Sequence, residues 1–270
     1  PSDTPVLLEG EPGSGRTLIA KAIHASSRFA ASPITVLDFR VPATERPSVN
    51  SIGQRSDTFT LLLERVDEAT TAEMNALLAL YERREEGVLD ARIIATASSD
   101  LRRAGAEGRL RKELVAQVAA VRILVPPLRA HTEDIPLLVR QFAREICGAE
   151  PLFEPGDLDR MVDREYLGNV RELRQMIIKA LQMEVTPPAL PREGAARARA
   201  ALVMPLNARP KPPSPKVARD RLVEWFERDW ITTLHARFGG NLNELARETG
   251  VPRKELVKKL KGWKVQVSEK

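Results

Sequence analysis

Residues 5–17 read PVLLEGEPGSGRT, and the rest of the chain can be placed outward from them. PVLLE is an apolar run of strand length. GEPGSGRT is a glycine-rich turn, and a helical pattern comes next over 18–29. Gly10, Glu11, Pro12, Gly13, Ser14, Gly15, Arg16 and Thr17 fit the phosphate-loop pattern G-x-x-x-x-G-K-[ST] at every position but one, with Arg16 in the lysine's place. Strand, turn and helix in that order give the pattern chemical meaning. The glycines let successive backbone N–H groups point at phosphate oxygens, and the helix start adds its dipole. Thr17 offers a hydroxyl to Mg²⁺. Arg16 keeps the positive charge, but its planar guanidinium is bulkier than an ammonium and does not replace it freely in a tight cradle.

Downstream, apolar runs over 34–39, 58–63, 91–96 and 121–125 read as buried strands, with an amphipathic helix over 71–84 and a polar, Pro-containing loop over 41–56. Continuous apolar strands alternating with helices predict a parallel sheet covered on both faces, an α/β fold. After Pro126-Pro127 the pattern becomes helical over 133–146, 155–164 and 169–183. Residues 184–216 are rich in Pro, Ala and Arg without apolar periodicity, which predicts a flexible linker. Helical spacing returns over 220–238, 242–249 and from Pro252 to about Gly262. The domains expected are therefore an α/β subdomain at 1–127, a helical lid at 128–183, the linker at 184–216 and a small all-α domain at 217–270.

Charge is unevenly distributed. The 270 residues carry a formal net charge of +5, yet 192–270 hold 18 Lys+Arg against 9 Asp+Glu, while the remainder holds 24 against 28. A basic tail on a mildly acidic body favours a polyanionic partner, because cations near phosphates release condensed counterions. Cys147 is the one cysteine, which excludes an internal disulfide and fits a reducing, cytoplasmic setting. No apolar run approaches the roughly 20 residues that span a bilayer, so no membrane association is expected. Neither is there a basic-then-apolar leader. The chain opens at Pro1 without a methionine, which leads us to expect a further segment upstream. The three histidines, His24, His131 and His235, show no metal spacing.

Four segments in order resemble the AAA+ core of sigma-54-dependent transcriptional activators, the bacterial enhancer-binding proteins. They are VLLEGEPGSGRT, ARIIATASSDLRRAGAEGRLRKEL at 91–114, VRILVPPLRAHTEDIPLL at 121–138 and GNVREL at 168–173. A C-terminal pattern, GGN-x4-A-x3-GV-x4-L-x3-L from Gly239 to Leu260, resembles the Fis-type helix-turn-helix. The resemblance implies a P-loop AAA+ three-layer parallel sheet with a helical lid, plus a small helix-turn-helix domain. ATP or ADP with Mg²⁺ would be the ligand, weakly held or absent, with Arg171 of GNVREL as the lid arginine.

This chain departs from the family pattern at the catalytic positions. Where the family strand ends in Asp-Glu, alignment on Leu61–Leu63 places Glu64 and Arg65. Glu64 could still reach a metal-bound water together with Thr17, but Arg65 cannot accept a proton. Sliding the motif to Asp67-Glu68 would bury Glu64 and Arg65 in mid-strand, which costs several kcal/mol unless they pair. The family's Thr-Asn sensor is Ala97-Ser98. Of two expected trans-acting arginines, Arg111 matches and the second is Gln117. Residues 40–57 hold no GAFTGA-like sequence and are too short for the helical hairpin that carries it, so sigma-54 contact is not expected. Together these changes lean against hydrolysis.

The resemblance also implies binding to double-stranded DNA at a palindromic site, as a homodimer through the C-terminal domain, with higher oligomers open. Arg253, Lys254, Val257 and Lys258 are expected nearest the bases or flanking phosphates. Lys259 and Lys261 are available beside them, and Asn241 and Asn243 cap a helix or touch phosphate. Trp225, Phe226 and Trp230 are expected in core and dimer packing. The resulting expectation is a DNA-binding regulator with a degenerate, hydrolysis-deficient AAA+ domain. The alternatives left open are a weak ATPase that remodels a partner, and an inert subunit lending Arg111 to a mixed ring.

Overall fold

The structure, a computed structural model, describes residues 3–154, 156–182, 212–263 and 265. The chain divides into two compact units: Pro1–Ala130 with Leu167–Arg171, and His131–Tyr166 with Glu172–Lys270.

The first unit is built on five parallel strands: β1 (Val6–Gly10), β2 (Ile34–Asp38), β3 (Phe59–Glu64), β4 (Ala91–Ala97) and β5 (Val121–Val125), in the order β2-β3-β4-β1-β5. Strand alternation sends Leu7, Leu61, Leu63, Ile93 and Ala95 to one face and Val6, Leu8, Leu62 and Ile94 to the other. Helix α1 (Arg16–Ala25) covers the second face through Ile19, Ala20 and Ile23. On the first face lie α2 (Val49–Gly53), α3 (Thr71–Glu85), α4 (Leu101–Ala106) and α5 (Lys112–Val118). The two apolar layers explain why every residue of β4 is buried.

Three local differences from the sequence reading have physical causes. Helix α1 begins at Arg16 rather than Leu18, because the loop itself supplies its first turn, and Ser27 ends it by donating its hydroxyl to the His24 carbonyl at 2.7 Å. The stretch 41–56, expected as loop, contains α2, started by the Ser48 hydroxyl accepting the Ser51 N–H at 3.1 Å. Helices α4 and α5 are too short to show periodicity. The Asp100 carboxylate caps α4, accepting from the Arg102 and Arg103 N–H groups.

In the second unit, α6 (Ile135–Cys147) buries Ile135, Val139, Ala143 and Cys147, one stripe at four-residue spacing. Helix α7 (Asp159–Val162) is much shorter than the expected 155–164. Helix α8 (Asn169–Gln182) contributes its first residues to the first unit and buries Leu173, Met176, Ile177 and Ala180 in the second. Most of the expected linker, 184–216, lies outside the described residues.

Helix α9 (Pro215–Arg237) starts five residues before the predicted boundary, with Pro215 in its first turn. Its leading half packs on α6 and α7, burying Ala218, Leu222 and Phe226. Arg219 holds this arrangement, donating from Nε to the Asp157 carboxylate at 2.6 Å, and Arg164 pairs with Asp229. Helices α10 (Leu242–Thr249) and α11 (Arg253–Gly262) close a small core on the trailing half of α9, around Ile231, Leu242, Leu245, Leu256 and Leu260. Trp230 packs against that core, while Trp225 meets Phe226 edge-on, 5.1 Å between centroids.

Candidate functional site

The carboxyl ends of β1, β3 and β4 lie in register, with Glu9 beside Ala97 and Leu63 beside Ala95, so the turns leaving these strands gather at one edge of the sheet. Ligands of open α/β sheets bind at that edge. After β1 comes the phosphate loop. Gly15 has φ 102 and Gly13 φ 83, left-handed values that a side chain strongly resists. A Cβ on Gly13 would stand 2.2 Å from the Gly168 carbonyl oxygen, so the loop fits its neighbour only as glycine.

That neighbour is the GNVREL turn. Asn169, at φ 56 and fully buried, accepts the Leu128 N–H at 2.8 Å and donates to the Pro12 carbonyl and the Glu11 carboxylate, both at 3.1 Å. The Arg171 N–H donates to the Gly13 carbonyl at 3.3 Å, and its side chain is exposed. Arg129 donates to Glu11 at 2.7 Å. The Arg129 and Asn169 hydrogen bonds pull the Glu11 pKa down to about 2. Asn169 is not among the residues singled out from sequence, although a buried amide beside a glycine is what the turn requires.

Thr17 donates its hydroxyl to Glu64 at 2.7 Å, so the two residues assigned to Mg²⁺ do meet. Glu64 ends β3. Arg65 comes next in the left-handed region, φ 57 and ψ 51, its N–H donating to the Thr96 hydroxyl at 3.1 Å. The Arg65 guanidinium pairs with Asp38, and Glu68 stands 3.8 Å away.

Arg16 is 9% exposed and donates from Nη2 to the Ser98 hydroxyl at 3.2 Å. Its Nη1 and the Ser14 hydroxyl are buried without a hydrogen-bond partner. Burial lowers the Arg16 pKa, opposed by the charge of Asp67. Asp67 accepts the Ser98 N–H at 3.1 Å and the Ser99 hydroxyl at 3.0 Å. Sequence reasoning sets Asp67 aside because it cannot lie on the strand. The short 3-10 turn Val66–Glu68 brings it back to the site by another route.

Two unpartnered polar groups facing a glycine cradle fit a phosphate, and a hydroxyl beside a carboxylate fits a hydrated Mg²⁺. Arg111 bonds elsewhere, donating from Nη1 to Asn75 of α3 at 2.6 Å. Among the described residues there is no cluster of three or more His, Cys, Asp or Glu that could hold a metal ion. Nor is any helix among them long and apolar enough to cross a membrane.

On α11, Arg253, Lys254, Lys258 and Lys261 are exposed, with Lys254 and Lys258 on the side away from the buried Leu256 and Leu260. Two expectations change here. Val257 packs partly against the small core, and Lys259 turns to Glu227 of α9 at 2.8 Å. The Asn241 side-chain oxygen is occupied as a cap, accepting from the Asn243 and Glu244 N–H groups. Asn243 is exposed in the first turn of α10.

A five-stranded parallel sheet with a glycine loop at the carboxyl end of β1 defines a P-loop nucleotide-binding domain of the AAA+ class. Residues 1–128 match the family described as the sigma-54 interaction domain, and residues 129–198 match the AAA+ ATPase lid domain. Residues 1–128 belong to that sigma-54 interaction domain family.

It is 30% identical to the transcriptional regulatory protein ZraR of Klebsiella oxytoca, across 96% of this chain and 64% of that protein. To the DNA-binding transcriptional regulator NtrC of Azospirillum brasilense it is 26% identical, across 98% of this chain and 66% of that protein. The structure of NtrX from Brucella abortus in complex with ADP superposes with a TM-score of 0.59 at 25% identity, over 97% of this chain and 64% of that one. The chain spans about 64% of the length of the ZraR relatives it matches.

Proposed function

We propose that this chain is a DNA-binding transcription regulator of the cytoplasm whose AAA+ domain holds a nucleotide without turning it over. The observation that carries the reading is Arg65. A cation paired to Asp38 occupies the position after Glu64 where activation of water calls for a carboxylate. Gly10 to Thr17 would hold the phosphates through backbone N–H groups, with Ser14 and Arg16 adding side-chain donors. Arg171 lies at the lid side of the loop. Thr17 and Glu64 would hold Mg²⁺, which when bound neutralises phosphate charge. The NtrX complex with ADP supports nucleotide binding by analogy.

The segment between β2 and β3 holds only α2 and short connections, which supports the reading that the sigma-54-contacting loop is missing. Helices α9 to α11 serve as the helix-turn-helix, with α11 entering the major groove and Arg253, Lys254, Lys258 and Lys261 meeting bases or phosphates. Pairing of two chains through this domain would match a palindromic site. The test has two parts on one preparation. DNA binding by gel shift is expected to be salt-dependent, and phosphate release with ATP and Mg²⁺ is expected to stay at background. Binding without turnover supports the reading, and turnover without DNA binding overturns it. Asp67, hydrogen-bonded beside Arg16's partner Ser98, favours one second reading, a weak ATPase. That reading predicts slow phosphate release abolished in Asp67→Asn.

A further inference from the structure

The arginine in the loop does more than substitute one cation for another. In a P-loop the residue at this position reaches the β- and γ-phosphates. Metal held by Thr17 and Glu64 near the end of β3 would neutralise phosphate charge there, so the terminal phosphate of a triphosphate would lie toward the ends of β3 and β4. Ser98 stands at the end of β4, and Arg16 spans from the loop to it, with Nη2 bonded to the Ser98 hydroxyl at 3.2 Å. Ser98 is itself braced from behind, its N–H donating to Asp67 at 3.1 Å. The guanidinium is therefore tied toward the end of β4, on the side where a terminal phosphate would lie, and Arg16 is 9% exposed. Nη1 is buried and unpartnered, placed to meet a ligand oxygen.

We propose that Arg16, tethered by Ser98, makes this loop a site for nucleoside diphosphate in preference to triphosphate. The inference rests on the nucleotide-binding reading above. A diphosphate ends at the β-phosphate, whose oxygen supplies the partner that Nη1 lacks and leaves the tether intact. A triphosphate must break the Arg16–Ser98 bond and displace a buried planar group. Charge count alone pulls the other way, since Arg65 and Arg171 both lie close enough to depress the Arg16 pKa and would favour the more anionic ligand. The obstruction outweighs it, because Arg65 is already paired with Asp38 and the exposed Arg171 is screened by solvent, while the buried Arg16 guanidinium must be moved.

Calorimetric titration of the full chain with ADP and with ATP, each with Mg²⁺, tests this. ADP is expected to bind tighter by about ten- to a hundredfold, the worth of one charge-assisted hydrogen bond. In Ser98→Ala the tether is lost and the preference narrows. In Arg16→Lys, which is shorter and unforked, it falls toward unity. Thermal unfolding of each variant checks that it folds, and the ratio for the unaltered chain decides the matter by itself. Equal affinities, or tighter ATP, overturn the inference while leaving the nucleotide-site reading intact. Binding of neither nucleotide overturns both.

Discussion

The turn after β1 and the turn after β3 flank the same strand, β4, and have fared differently. The first keeps its whole backbone, with glycines at φ 83 and 102 and a neighbour at 168–171 that leaves no room for a side chain on Gly13. The second ends its strand at Glu64 and carries Arg65, at φ 57 and paired with Asp38, in the next position. A phosphate cradle is made mainly of backbone and survives while its glycines do. Water activation depends on a carboxylate at one position, so on the proposed reading a single change there removes it. Binding and turnover are then separable properties of one edge of the sheet.

The most damaging way to break the first region is Gly13→Ala. Its Cβ collides with the Gly168 carbonyl at positive φ, so nucleotide binding should vanish and unfolding free energy should drop by at least about 2 kcal/mol, read by calorimetry and denaturant titration. The proposed DNA-binding end should be indifferent to that change and sensitive to its own. Arg253→Ala and Lys258→Ala are each expected to weaken operator binding about tenfold and to flatten its salt dependence by about one unit of slope, leaving nucleotide affinity unchanged. Lys259→Ala, whose cation is turned to Glu227, should do less in the same gel shift.

A smaller effect sharpens the second region. Arg65→Ala strips Asp38 of its ion pair and should cost about 1–2 kcal/mol of stability while leaving nucleotide affinity within a few-fold, as measured by denaturation and titration. The smallest concerns pH. Glu11 is held ionised down to about pH 2 by Arg129 and Asn169, against an ordinary value of 4.5. A depressed carboxylate contributes stability that is fully present above 4.5 and is lost as pH falls through about 2. NMR titration should find that midpoint in the chain and a higher one in Arg129→Ala.

The sheet and the phosphate loop were legible because they rest on local patterns: five apolar runs and one glycine spacing. The register of Glu64 and Arg65 was legible too, since burying them in mid-strand would cost several kcal/mol unless they paired. Asp67 was not. Its approach to Ser98 depends on a three-residue 3-10 turn that leaves no periodic trace. Lys259 looked available because a helix wheel places it beside Lys258, and only the packing of α9 puts Glu227 within 2.8 Å. The burial of α9 on α6 and α7 was hidden for the same reason, being a long-range contact between segments that each read as ordinary amphipathic helices.

The central claim is that the phosphate cradle still binds where the water-activating carboxylate has become an arginine. Nucleotide binding and phosphate release, measured together on one preparation with Mg²⁺ present, test it most directly. Saturable binding with release no faster than the buffer blank is the predicted result. Steady release that is lost in Glu64→Gln would contradict it.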